Sequence, residues 1–180
     1  SRSPVADALK KLSGERLVEI VPQSGTRVSK LSLHAIKEEA FIREALEVAS
    51  AKYAAEKRTE QHSARLARNL RMQELLLEDA DLSEFYKFDE EFHDMIMECC
   101  NISTLSPTVA MLSTQVRRAR LLLLPEPGRT ADTVNEHRVI LQAIQSGDPE
   151  KAGEAMRRHL RQLLDRLEPL EKERPDLFDS

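Results

Sequence analysis

The chain has 180 residues, a formal net charge of −4, 32% charged and 4% aromatic side chains, and five glycines. That balance favours a helical protein of one domain, or a domain of about 150 residues with an appendage. No apolar run approaches the roughly 18 residues that cross a bilayer, and nothing at the start resembles a signal peptide, so no membrane partner is expected. The adjacent Cys99 and Cys100 suit neither a structural disulfide nor a zinc-knuckle spacing, and a reducing, cytoplasmic setting is the simplest one.

Residues 3–13 read as a short helix, with Ser3 as N-cap, Pro4 at the first helical position, and Val5, Ala8, Leu9 and Leu12 on an apolar face. Residues 17–21 alternate like a strand, residues 22–25 supply turn chemistry, and residues 26–28 read as a returning strand. A helix followed by a hairpin is the second half of a winged helix-turn-helix, so residues 1–30 are expected to be a partial DNA-binding domain that begins at its recognition helix. This segment carries six basic and three acidic side chains, +3, and leaves −7 for the remainder. A basic end on an acidic body is compatible with a nucleic-acid contact confined to that end. Arg2 and Ser3 stand at the start of the recognition helix, where side chains reach base edges in the major groove. Thr26 and Arg27 in the wing are placed for phosphate or the minor groove. Lys10 and Lys11 read as an ordinary solvated face.

From residue 31 onward the pattern is helical, with helices expected near 32–58, 60–78, 82–100, 103–124, 130–146 and 148–170. Asn101, the turn at 125–128 and the run Ser146-Gly147-Asp148-Pro149 separate them; in the last, Asp148 caps and Pro149 occupies N1. The expected architecture is mainly α: a six-helix antiparallel bundle over 31–172 and a polar tail at 173–180. Four residues break the apolar faces of three of these helices. Asp89 and His93, four apart, project from one side of a helix whose stripe is Phe85, Phe92, Ile96 and Cys100. A carboxylate buried there calls for a cation. His137 shares a face with Ile140, Leu141 and Ile144, and His159 sits between Met156 and Leu163. One carboxylate and three imidazoles directed into one bundle describe a metal site. The alternative, a set of hydrogen-bonded core histidines, is the commoner outcome for any single His.

The residues also carry a family resemblance. The opening Ser-Arg-Ser-Pro-Val-Ala-Asp-Ala-Leu-Lys-Lys-Leu and the stretch Leu-Val-Glu-Ile-Val-Pro-Gln-Ser-Gly-Thr-Arg-Val at 17–28 resemble the recognition helix and wing of GntR-family transcription regulators. Residues 32–170 resemble the effector-binding FCD domain of the FadR subfamily, through Arg43-Glu44-Ala45-Leu46-Glu47, Phe88-Asp89-Glu90-Glu91-Phe92-His93, the run from Glu136 to Ile144, and Ala155-Met156-Arg157-Arg158-His159-Leu160. Six helices rather than seven suggests the VanR-like branch. Ala6 stands where the family usually has an Arg that contributes to DNA contact, which lowers the expected strength of DNA binding.

The resemblance implies Asp89, His93, His137 and His159 as metal ligands, in agreement with the stripe argument. Such a donor set suits Zn, Ni, Mn or Fe and lacks the all-oxygen character that Ca or Mg prefers. It also implies a small carboxylate metabolite as effector, such as a hydroxy acid, sugar acid or dicarboxylate. Arg43, on the face of Ile36 and Ala40, and Arg120, following Leu112 and Val116, are the cationic candidates for binding it. The implied function is a ligand-responsive bacterial transcription regulator that binds operator DNA and forms a homodimer matching a two-fold site. This chain alone is expected to bind operator poorly. The competing class is a metal-dependent enzyme acting on a small carboxylate. Against it, Glu90 and Glu91 are turned away from the site by helical phase, and the winged-helix segment has no catalytic role. A third reading is a plain helical interaction module.

Overall fold

The computed structural model describes residues 2–77 and 82–179, apart from the side chains of Arg2 and Ser3. The chain starts with α1 (Arg2–Gly14), β1 (Val18–Val21) and β2 (Gly25–Val28). The strands pair antiparallel, with Val18 opposite Val28 and Glu19 opposite Arg27. Gln23 and Gly25 adopt positive φ in the connecting turn, 63° and 118°, as the tight reversal requires. No residue from 4 to 30 is buried, so the helix and hairpin have no apolar core of their own in this chain.

Among the described residues seven further helices follow: α2 (Leu33–Lys57), α3 (Glu60–Leu75), α4 (Leu82–Glu98), α5 (Leu105–Met111), α6 (Thr114–Leu123), α7 (Arg129–Ser146) and α8 (Pro149–Glu173), then a 3₁₀ turn at Pro175–Leu177. Local chemistry sets most of the boundaries. The side chains of Ser32, Thr59 and Asp148 accept hydrogen bonds from the amides of Ala35, His62 and Lys151, each three residues on. Gly147 closes α7 with φ of 70°, where an added Cβ would also collide with the Arg58 guanidinium.

Two expectations are corrected. The stretch 103–124 is not one helix but α5 and α6, broken at Leu112-Ser113, so seven helices come after the hairpin among the described residues and the six-helix basis for the VanR-like branch falls away. The cause lies outside the segment: Glu39 of α2 accepts hydrogen bonds from the amides of Gln115 (2.7 Å) and Val116 (3.0 Å), capping α6 from another helix. The end of the chain is not a loose polar tail either. Phe178 is 3% exposed and lies beside Leu31, whose amide donates to Leu177 O at 2.9 Å and whose carbonyl accepts from Asp179 N at 2.8 Å.

α2 is the central helix and packs against α4, α6, α7 and α8, while α3 covers α4 and α7. The interior divides into two apolar clusters. One contains Phe85, Phe92, Ile96, Ile140, Ile144 and Met156, among others. The other is Leu31, Ile36, Val116, Ala119, Leu123, Leu163, Leu167 and Phe178. Along α2, Ile36 belongs to the second cluster and Val48 to Ala55 to the first, with Arg43 and Glu47 buried between them. Along α8, His159 separates Met156 from Leu163 in the same way. A polar layer therefore crosses the bundle between two apolar ones.

Candidate metal and ligand site

The polar layer brings three of the four expected metal ligands, His93, His137 and His159, into one cluster, with Asp89 at its edge beside His137. Asp89 and His93 come from one face of α4, His137 from α7 and His159 from α8; each is at most 7% exposed. One ring nitrogen from each histidine lies within 4.8 Å of those of the other two. His93 Nε2 and His159 Nε2 are 3.2 Å apart. His137 Nε2 has no hydrogen-bond partner and stands 3.6 Å from Asp89 Oδ1. Phe92 stacks on the His137 ring, centroids 4.2 Å apart and planes within 12°, and holds it edge-on to the cluster.

The opposite nitrogen of each ring is taken. His93 Nδ1 is 2.5 Å from Glu47 Oε2, His137 Nδ1 is 2.9 Å from Gln73 Oε1, and His159 Nδ1 is 2.6 Å from Glu136 Oε2. The orientation of Gln73 is fixed because its amide nitrogen donates to Asn69 Oδ1 at 2.7 Å and Phe88 O at 3.3 Å. Only acceptors face the three Nδ1 atoms, so each Nδ1 carries the hydrogen and each Nε2 keeps a lone pair. Lone pairs converging in a buried space repel one another unless a cation joins them. Imidazoles backed by a carboxylate or amide oxygen are the usual supporting shell of a metal. The residues present therefore fit a divalent ion.

Electrostatics point the same way. Burial, with the repulsion that a second imidazolium and the nearby arginines would exert on an added proton, holds His137 and His159 well below the usual imidazole range, which keeps them neutral. Burial would raise the Glu47 carboxyl, but Arg43 and His93 outweigh it and hold the group far below the ordinary carboxylate range. Burial also raises the Glu136 carboxyl, against the opposing pull of Arg129.

Each acid in the layer has its own arginine: Arg43 on Glu47, Arg129 on Glu136 at 3.3 Å, and Arg120 on Asp89. Arg120 also reaches Glu90 at 2.6 Å and lies over the Tyr86 ring, 5.0 Å from its centroid; burial pushes its pKa down to about 9. Glu90, expected to turn away, in fact sits at the rim between Arg120 and Arg117. Arg43, Arg120 and Arg129 line one cavity together with Asp89 and His159. Both arginines singled out from the sequence thus border the histidine site. Arg129, Glu47, Gln73 and Glu136 were missed as members of it. Glu47 carried a signal: it comes four residues after Arg43 and shares the buried face of Ile36 and Ala40.

At the other end of the molecule, Thr26 and Arg27 are exposed on β2, and Arg27 pairs across the hairpin with Glu19 at 2.8 Å. The side chains of Arg2 and Ser3, the expected base readers, lie outside the described residues. The link to the bundle runs through α6. Arg118 donates to the carbonyls of Ser29 and Lys30, and Gln115 donates to Arg16 O at 3.3 Å.

A helix and hairpin attached to a larger helical domain are the layout of one class of protein, the transcription regulators. Likeness to known proteins gives the family. Residues 39–162 match the FCD domain. The chain is 35% identical to an uncharacterised HTH-type transcriptional regulator of Streptomyces ambofaciens over 99% of this chain and 75% of that one. It is 30% identical to the HTH-type transcriptional repressor RspR of Escherichia coli over 100% of this chain and 79% of that one. Among solved structures, McbR/YncC of E. coli superposes with a TM-score of 0.80 at 20% identity, covering 93% of this chain and 85% of that one. The chain belongs to the GntR family of transcription regulators and carries its FCD domain; it is a regulator and not an enzyme. No helix among the described residues is long and apolar enough to cross a membrane.

Proposed function

We propose that this regulator is ligand-responsive: residues 31–172 bind a divalent transition metal and a small carboxylate, and residues 1–30 contribute to reading operator DNA. His93, His137 and His159 would hold the ion through Nε2, with Asp89 as a fourth ligand once its carboxylate is released from Arg120. Zn, Ni, Mn and Fe all suit imidazole donors with one carboxylate. The bound ion would offer open positions to a ligand's carboxylate. Arg43, Arg120 and Arg129 stand beside it and would hold that acid group by charge-assisted hydrogen bonds. Arg2, Ser3, Thr26 and Arg27 are the proposed DNA contacts, and a homodimer would present two such readers to a two-fold operator. A ligand switches such a protein only if it binds the two arrangements of the bundle with different affinity.

The observation that carries this reading is the unpartnered, fully buried His137 Nε2 facing the Nε2 atoms of two other histidines. The test is metal content by mass spectrometry, on protein purified without a nickel column, for the native chain and for His137→Ala. Near-stoichiometric metal in the first and its loss in the second is the expected result. No metal in either, with thermal stability unmoved by added zinc, nickel or manganese, would make the cluster structural.

A further inference from the structure

α6 is held from two sides. Its inward side carries Arg120, whose guanidinium pairs with Asp89 and, at 2.6 Å, with Glu90, both on α4. Arg118 comes two residues earlier and so lies on roughly the opposite side of the helix. It donates to the carbonyls of Ser29 and Lys30, while Gln115, three residues before it on the same side, donates to Arg16 O at 3.3 Å. Those carbonyls belong to the turn after α1 and the link after β2. One helix of ten residues thus holds the polar layer on one side and the root of the helix and hairpin on the other.

The inward hold depends on a carboxylate with two claimants. Asp89 Oδ2 meets Arg120, while Oδ1 stands 3.6 Å from the unpartnered His137 Nε2. The side chains of Arg120 and Asp89 are only 15% and 5% exposed, so water and salt screen them little. A second cation at the same carboxylate would feel most of the charge of Arg120. Arg43 and Arg129 are engaged with Glu47 and Glu136 and do not take its place. Resting on the reading above that Asp89 and the three histidines hold a divalent ion, we infer that the ion is itself a signal, detected by Arg120. When Asp89 turns to the histidines, Arg120 loses its inner partner and is repelled by the added charge. Glu90 at the rim is then its remaining acid. The inward hold on α6 weakens, and the grip of Arg118 and Gln115 on the root of the hairpin shifts with it. The chain thereby responds to metal with no organic ligand present, and Arg120, as the competitor for Asp89, sets how much metal is needed.

Zinc alone is the probe, added to the full chain after treatment with a chelator. Calorimetry reads its affinity, and hydrogen exchange reads α6 and the amide of Ser29, which donates to Leu17 O at 3.0 Å. Zinc should quicken exchange in α6 and at Ser29 by about threefold or more, while slowing it around His93, His137 and His159. Arg120→Gln removes the competitor and leaves all four ligands in place. It should bind zinc about tenfold more tightly, a gain of about 1.4 kcal/mol. Its exchange at Ser29 should match the zinc-loaded native chain before any zinc is added, and should not change afterwards. Arg120→Lys, which keeps the charge, should bind zinc more weakly than Arg120→Gln; a residue needed only for packing would give no such order. Zinc binding with unchanged exchange in α6 and at Ser29, or no gain in affinity in Arg120→Gln, would overturn the inference and leave the metal reading standing. No binding of zinc, nickel or manganese by the native chain or by Arg120→Gln would overturn the metal reading and this inference together.

Discussion

The two apolar clusters on either side of the polar layer are built differently. The larger draws on α2, α3, α4, α7 and α8 and places Phe85 and Phe92 at its centre, both at most 1% exposed. The smaller is almost wholly aliphatic, and two of its members, Leu31 and Phe178, come from the segments flanking the bundle. Phe92 stacks directly on His137, so the large cluster fixes the geometry of the site. The small one lines the cavity and receives the chain's ends. The same hydrophobic effect thus braces the histidines on one side and encloses a cavity on the other.

The comparison can be broken most forcefully at Phe92. Replacing it with Ala removes a fully buried ring and the face that orients His137, and should cost about 3–5 kcal/mol in urea denaturation; a loss below 1 kcal/mol would mean the large cluster does not brace the site. Acid comes next. His137 and His159 are held below the usual imidazole value when folded, so the unfolded chain takes up protons first as pH falls. Their contribution is complete above about pH 6.5 and is lost progressively below it, by up to about 1.4 kcal/mol per pH unit for each group. Thermal melts from pH 7.5 to 5 should show this decline, and a flat profile would contradict neutral buried imidazoles.

On the small cluster, Phe178→Ala should cost about 1.5–3 kcal/mol, and the amide of Asp179 should lose hydrogen-exchange protection well before the amides of α4. Simultaneous loss in both places would erase the distinction between the clusters. The smallest effect is expected at Glu39→Ala, about 0.5–2 kcal/mol, from the lost cap on α6. Amide exchange at Gln115 and Val116 should quicken first.

What was legible in the sequence was what local chemistry determines. Asp148-Pro149 starts α8, Gly147 ends α7, and Asn101, at φ of 55°, closes the stretch after α4. Asp89 and His93 stood out because a polar pair four apart interrupts an apolar stripe, and the structure brings them beside His137 and His159. The break in 103–124 was not legible, since its cap is a side chain 76 residues away from Gln115. Nor was the pairing of Gln73 with His137 across 64 residues, or of Glu47 with His93 across 46. These contacts exist only once the helices pack. The terminal residues misled because a polar composition hid one phenylalanine with a site prepared for it.

Because no residue from 4 to 30 is buried, the helix and hairpin take their position from the bundle: from Leu31 in the small cluster, and from the grip of Arg118 and Gln115 on nearby carbonyls. Val116, Leu123 and Leu163 are at once neighbours of Leu31 in that cluster and the wall of the cavity. The root of the helix and hairpin and the wall of the cavity therefore share the same few side chains, so a change of packing at one is a change of packing at the other.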